Sequence, residues 1–69
     1  VPDNAAVADT YGWILFESGE HQQSLVVLEK AHELDPGSRE IAMHLVEAYR
    51  AAGRDDDARR ILTKLDNEA

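Results

Sequence analysis

Apolar stripes at helical spacing alternate along the chain with short turns rich in Gly, Pro, Asp and Ser. Val7, Ala8, Tyr11, Ile14 and Leu15 recur at intervals of three and four, which predicts a helix over about 5–18. Gly19 stops it, as glycine commonly does just past a helix end. Leu25, Leu28, Ala31 and Leu34, with Val27 beside them, predict a second helix over about 21–34. Asp35-Pro36-Gly37-Ser38 is turn chemistry: proline cannot extend the helix before it, and Ser38 caps the one after. A third helix is expected over about 39–52, on Ile41, Ala42, Leu45, Ala48 and Tyr49, and Gly53 ends it. The fourth is expected over about 56–67, on Ala58, Ile61, Leu62 and Leu65, with Asp55 or Asp56 as its cap. Strand alternation is absent from the sequence. The predicted fold class is all-α.

These elements repeat. Pro2 and Pro36 lie 34 residues apart, and the same shift pairs Asn4 with Ser38, both good helix N-caps. It also pairs Val7 with Ile41, Ala8 with Ala42, Tyr11 with Leu45, Leu15 with Tyr49 and Gly19 with Gly53. Further on, Ser24 meets Ala58, Val27 meets Ile61, Leu28 meets Leu62 and Lys30 meets Lys64. Small, large and turn residues falling in one register make an internal repeat. Gly12 stands mid-helix, where it costs about 1 kcal/mol relative to alanine. The simplest recovery is a second helix passing close by, so Gly12 is expected against Ser24, Ala31 or both. In the second repeat Val46 replaces Gly12 and Leu65 replaces Ala31, so its two helices are expected to sit further apart. Leu25-Val26 becomes Arg59-Arg60, the polar outer face that a helix ending a stack requires.

A 34-residue helix–turn–helix with these small and large positions resembles the tetratricopeptide repeat. The family pattern falls on Ala8, Tyr11, Gly12, Leu15, Gly19, Ser24, Leu28, Ala31 and Pro36 in the first repeat. In the second it falls on Ala42, Leu45, Val46, Tyr49, Gly53, Ala58, Leu62 and Leu65. The resemblance implies an α–α superhelix of four antiparallel helices in one domain, with repeats at about 5–38 and 39–69 and residues 1–4 left from a preceding repeat. The opening Asp-Thr-Tyr-Gly-Trp is similar to the last repeats of long bacterial members, some associated with envelope protein sorting and polysaccharide export. By the same resemblance the first helix of each repeat lines a concave groove that binds a protein or peptide segment. Its residues would be Ala6, Asp9, Thr10, Trp13, Phe16 and Glu17, then Glu40, Met43, His44, Glu47 and Arg50. Some members clamp a carboxylate with Lys and Asn there; Asp9, Trp13 and His44 occupy those places here, so that role does not carry over. Spacing supports the face independently, because Trp13 and Phe16 lie off the Tyr11–Leu15 stripe and share a side with Asp9 and Glu17.

Composition narrows the partners. Fourteen acidic against seven basic side chains give a net charge of −7, which disfavours nucleic acid and anionic lipid and favours a partly apolar, basic partner. The absence of cysteine rules out disulfides and thiolate zinc sites, and leaves the compartment, cytoplasmic or periplasmic, unassigned. The longest apolar runs, Trp13–Phe16 and Leu25–Leu28, fall far short of the roughly 20 residues of a membrane span. A start at Val1 with no Met and no leader suggests a piece of a longer protein.

Catalytic chemistry is not expected. His21, His32 and His44 form no His-x-x-x-His or His-Glu-x-x-His pair, and no second ligand is expected at helical spacing on one face. Asp55-Asp56-Asp57 lacks the alternation and the closing Glu of a calcium loop and reads as a helix start. Ser18, Ser24 and Ser38 have no base placed to activate them. The expectation is a non-catalytic interaction module with no metal and no cofactor. The alternative is a purely structural role, capping a superhelix, joining protomers or forming an arm of an enzyme such as a glycosyltransferase. One flank of the first helix, carrying Val7, Tyr11 and Ile14, would lack the preceding repeat, so a weak homodimer through it is expected.

Overall fold

The computed structural model describes residues 4–68, with the side chain of Glu68 outside that description; Pro2 lies outside it too. Four helices follow one another: α1 (Ala5–Glu17), α2 (His21–Leu34), α3 (Arg39–Ala51) and α4 (Asp55–Glu68). Both expected caps form. The Asn4 side chain accepts from the Val7 N–H at 3.1 Å, and the Ser38 hydroxyl accepts from the Ile41 N–H at 3.3 Å. Helix α4 departs from expectation. It starts one residue early, so Asp55 and Asp56 sit in its first turn and neither is its cap. Arg54 instead donates to Asp57 at 2.9 Å, and Arg60 donates to the same carboxylate from one turn on at 2.8 Å. The Arg54 guanidinium holds the Asp57 carboxyl below the usual range.

The two repeats close their first helices identically. Gly19 and Gly53 have φ of +89° and +75°, the left-handed region that a Cβ disfavours. Beyond them Glu20 donates to the Leu15 carbonyl at 2.9 Å and Arg54 to the Tyr49 carbonyl at 2.8 Å. Gly19 donates to Phe16 and Gly53 to Arg50, completing the Schellman pattern in each repeat. Alanine at either glycine meets no neighbouring atom, so its cost is conformational only, about 1–2 kcal/mol. Equal losses in urea melts of Gly19→Ala and Gly53→Ala would show that the two turns are equivalent.

Packing explains the small residues. A Cβ on Gly12 would lie 2.8 Å from Cγ and Cδ2 of Leu28 and 3.3 Å from the Leu28 backbone N. Ser24 donates its hydroxyl to the Gly12 carbonyl at 2.8 Å, a fully buried bond. The close approach is thus made to Leu28 and Ser24. Ala31 does not take part; it packs with Ala8 and Ile41 in a smaller cluster. The main core joins Leu25, Leu28, Leu45, Val46, Ala48, Tyr49 and Ala58, with Trp13, Phe16, Ile61 and Leu62 against it. Helix α1 lies along α2 far more extensively than α3 along α4, as the larger Val46 and Leu65 require. Helix α1 also approaches α3 closely, whereas the backbones of α2 and α4 stay further apart among the described residues. The layer therefore curves toward its α1/α3 face.

Tyr49 ties α3 to α2 and to the turn before α4. Its hydroxyl donates to Glu29 at 2.6 Å and the Arg54 guanidinium lies over its ring at 5.0 Å. Burial, then the hydrogen bond to Glu29 and that carboxylate's charge, push the phenol from 10.0 up to about 12. The folded state thus holds a proton that the unfolded chain releases first. This contribution to stability is complete below pH 10.0 and is lost as the pH rises to about 12. Urea denaturation across that window should show a decline that Tyr49→Phe lacks.

Candidate functional site

The groove positions expected from the sequence all lie on α1 and α3, Ala6 and Thr10 beside the flank residues Val7, Tyr11 and Ile14. Thr10, Glu17, Glu40, Met43, Glu47 and Arg50 are exposed, as is Ala6; Trp13, Phe16 and His44 are half-buried. Asp9 is the exception. Expected among the groove residues, it is only 7% exposed, and its Oδ1 lies 2.8 Å from Nδ1 of His44 on the neighbouring helix. A buried carboxylate needs such a partner, and His44 supplies it across the repeat boundary.

Aromatic rings continue from that pair. His44 stacks on Trp13 with centroids 4.2 Å apart, and Trp13 stacks on Phe16 at 4.8 Å. His21 tilts over Phe16 at 4.9 Å. Trp13 and Phe16 share α1 three residues apart, close enough for their rings to meet on one face. His44 reaches them because α1 and α3 are in contact. The ladder thus joins the start of α2 to the middle of α3. Trp13 and Phe16 rest on the main core while staying partly exposed, and Met43, on α3 next in sequence to His44, is 40% exposed.

One pairing was missed. Glu40 and His44 are four residues apart on α3, so a second ligand-type side chain does stand at helical spacing, contrary to expectation. With Asp9 they bring two carboxylate oxygens and a ring nitrogen within 4.8 Å of one another. The Glu-x-x-x-His spacing was visible in the sequence; the Asp9 contribution, 35 positions from His44, was not. The other histidines stay apart from this cluster, His21 on Phe16 and His32 on α2 with its Nδ1 buried and unpartnered among the described residues.

A helix–turn–helix pair repeated with side-chain N-caps and glycine turns at the same register is the geometry of a known repeat. A tetratricopeptide repeat model matches residues 15–69. The chain belongs to the tetratricopeptide repeat family. No curated protein and no solved structure matches it. Tetratricopeptide repeats are in general non-catalytic modules of protein–protein interaction, so protein partners are implied. The family match begins at Leu15, so most of α1, with Asp9, Gly12 and Trp13, is placed in the repeat by the structure alone. No helix among the described residues is long and apolar enough to cross a membrane.

Proposed function

We propose that residues 5–38 and 39–69 act as one non-catalytic binding unit, taking a partly apolar, basic peptide segment on the α1/α3 face. The carrying observation is the half-buried Trp13–Phe16 stack on α1, with exposed Met43 and the exposed acids Glu17, Glu40 and Glu47 on the same two helices. Aromatic and Met side chains supply contact area, and the acids favour cationic neighbours and speed encounter. Trp13 is a poor residue for the test, because removing it also strips cover from His44 and the core. Met43→Ala and Glu47→Lys alter exposed positions. Binding of a captured basic peptide should fall more than about fivefold in Met43→Ala, as for an anchor. Glu47→Lys should weaken it at low salt and much less at high salt. Unchanged binding in both variants would remove this face from consideration.

A structural role is the second reading, and one observation favours it. Val7, Tyr11 and Ile14 are 49%, 49% and 55% exposed and line a shallow apolar depression with Ala6 and Thr10. Their equivalents Ile41, Leu45 and Ala48 are buried, on a helix that packs against α2. The outer side of α4 carries Arg59, Arg60, Thr63 and Lys64, which suits it poorly to cover an apolar flank. A symmetric dimer of two such flanks closes the patch, and the acidic charge makes it weak and salt-promoted. Sedimentation equilibrium with and without salt should reveal it, and Tyr11→Glu should abolish it. A strict monomer in both conditions would refute it.

A further inference from the structure

We propose that Asp9, Glu40 and His44 hold a single first-row divalent transition-metal ion of the zinc class. The donor set is one imidazole nitrogen and two carboxylates, drawn from two helices, and all three ligand atoms lie within 4.8 Å. Ligand bonds of about 2.0–2.2 Å at tetrahedral angles set donors on one ion roughly 3.3–3.6 Å apart. The gap of roughly an ångström closes if the exposed Glu40 side chain turns inward on binding. Asp9 Oδ1 and His44 Nδ1 face each other at 2.8 Å; the ion takes the place of the proton between them, and the two atoms part by roughly half an ångström. Asp9 is held nine-tenths buried on α1, and among the described residues its hydrogen bond is to His44 alone. The ring of His44 is fixed by its stack on Trp13, so its orientation needs no ordering on binding.

Donor chemistry selects the ion. Calcium and magnesium take shells of oxygen ligands, and an imidazole serves neither well. A nitrogen with two carboxylates suits zinc and its neighbours in the first row, with remaining positions open to solvent. The site does not depend on a peptide binding on the α1/α3 face. The ion would join α1 to α3 and so bridge the two repeats.

Trp13, the only tryptophan, reports on the site because it touches His44. Titration of the intact chain with Ni²⁺ should quench its emission to saturation at one ion per chain, and Zn²⁺ should reverse the quenching. Millimolar Mg²⁺ should not compete. Asp9→Asn keeps an acceptor for His44 and removes only the charge, so it separates metal binding from a structural hydrogen bond. Asp9→Asn and His44→Ala should each weaken Zn²⁺ binding, read by calorimetry, at least about tenfold. Glu40→Gln should weaken it as well, and His21→Ala should leave it unchanged. If circular dichroism shows His44→Ala unfolded, Asp9→Asn and Glu40→Gln decide the matter. Absence of saturation, or Zn²⁺ affinity unaltered in Asp9→Asn and Glu40→Gln, would overturn the proposal.

Discussion

Gly12→Leu lowers the melting temperature by about 5–20 °C, the shift that an overpacking cost of about 1–3 kcal/mol produces in a domain this small. Even the first added carbon is too close. It would sit 2.8 Å from Leu28 Cγ, a branch point rather than a free end, on a side chain with no exposure. Leu28 cannot retreat, and its own backbone N is 3.3 Å away. Gly12→Ala therefore sets two effects of opposite sign against each other. Helix propensity gains about 1 kcal/mol, while the displaced contact and the strained Ser24 bond cost more. Alanine should be net destabilising, and leucine considerably worse. Thermal melts of the two variants beside the native chain check the order. An alanine variant that melts higher than the native chain would refute the close-contact account.

Leu28→Ala carries the second large effect, because Leu28 is the largest side chain in the core with no solvent exposure. Loss of its buried methyl groups should cost about 2–5 kcal/mol, depending on how far the helices collapse into the space. A core of this size rarely supplies more than about 3–5 kcal/mol, so the variant should be largely unfolded at ambient temperature. The informative experiment is the double variant. Once Leu28 is shortened, the methyl at position 12 has room, and its helix propensity counts in full. Gly12→Ala should then be stabilising in the Leu28→Ala background, although it destabilises the native chain. The coupling should lie within the roughly 0.5–3 kcal/mol seen for residues in contact. Additive effects in urea melts would show that the two positions do not compete for space.

The Gly12–Leu28 contact also shows where sequence reading works and where it stops. A glycine mid-helix announced a close neighbour, and Ser24 was correctly placed against it. Ala31 was not distinguishable from Leu28, because both lie on the α2 face turned toward α1 and only the crossing point of the helices chooses between them. The caps at Asn4 and Ser38 and the turns at Gly19 and Gly53 were legible because each depends on a few adjacent residues. Helix α1 was the hard element. It is apolar toward α2, toward the curved face and toward the open flank, so periodicity alone could not separate Ala8 and Gly12 from Tyr11 and Ile14 by burial. The candidate groove positions were assigned through the register of the repeat. Their state was not: Asp9 reads as a surface acid until His44 arrives from a helix that local pattern says nothing about.

The unequal meeting of helices has a mechanical consequence. Helices α1 and α3 approach closely, while the backbones of α2 and α4 stay further apart, so the second layer limits rotation of the repeats about their shared seam only through core side chains. Bend between neighbouring units is then governed by α2 against α3 and by a short seam that includes Asp9, Trp13 and His44. A seam of so few side chains acts as a soft pivot. In any array built from such units, a rotation of a few degrees at each pivot accumulates along the axis into a large change of pitch. Replacing His44 would therefore alter the contour length and coil of the assembly, measurable by small-angle scattering, while leaving every helix intact.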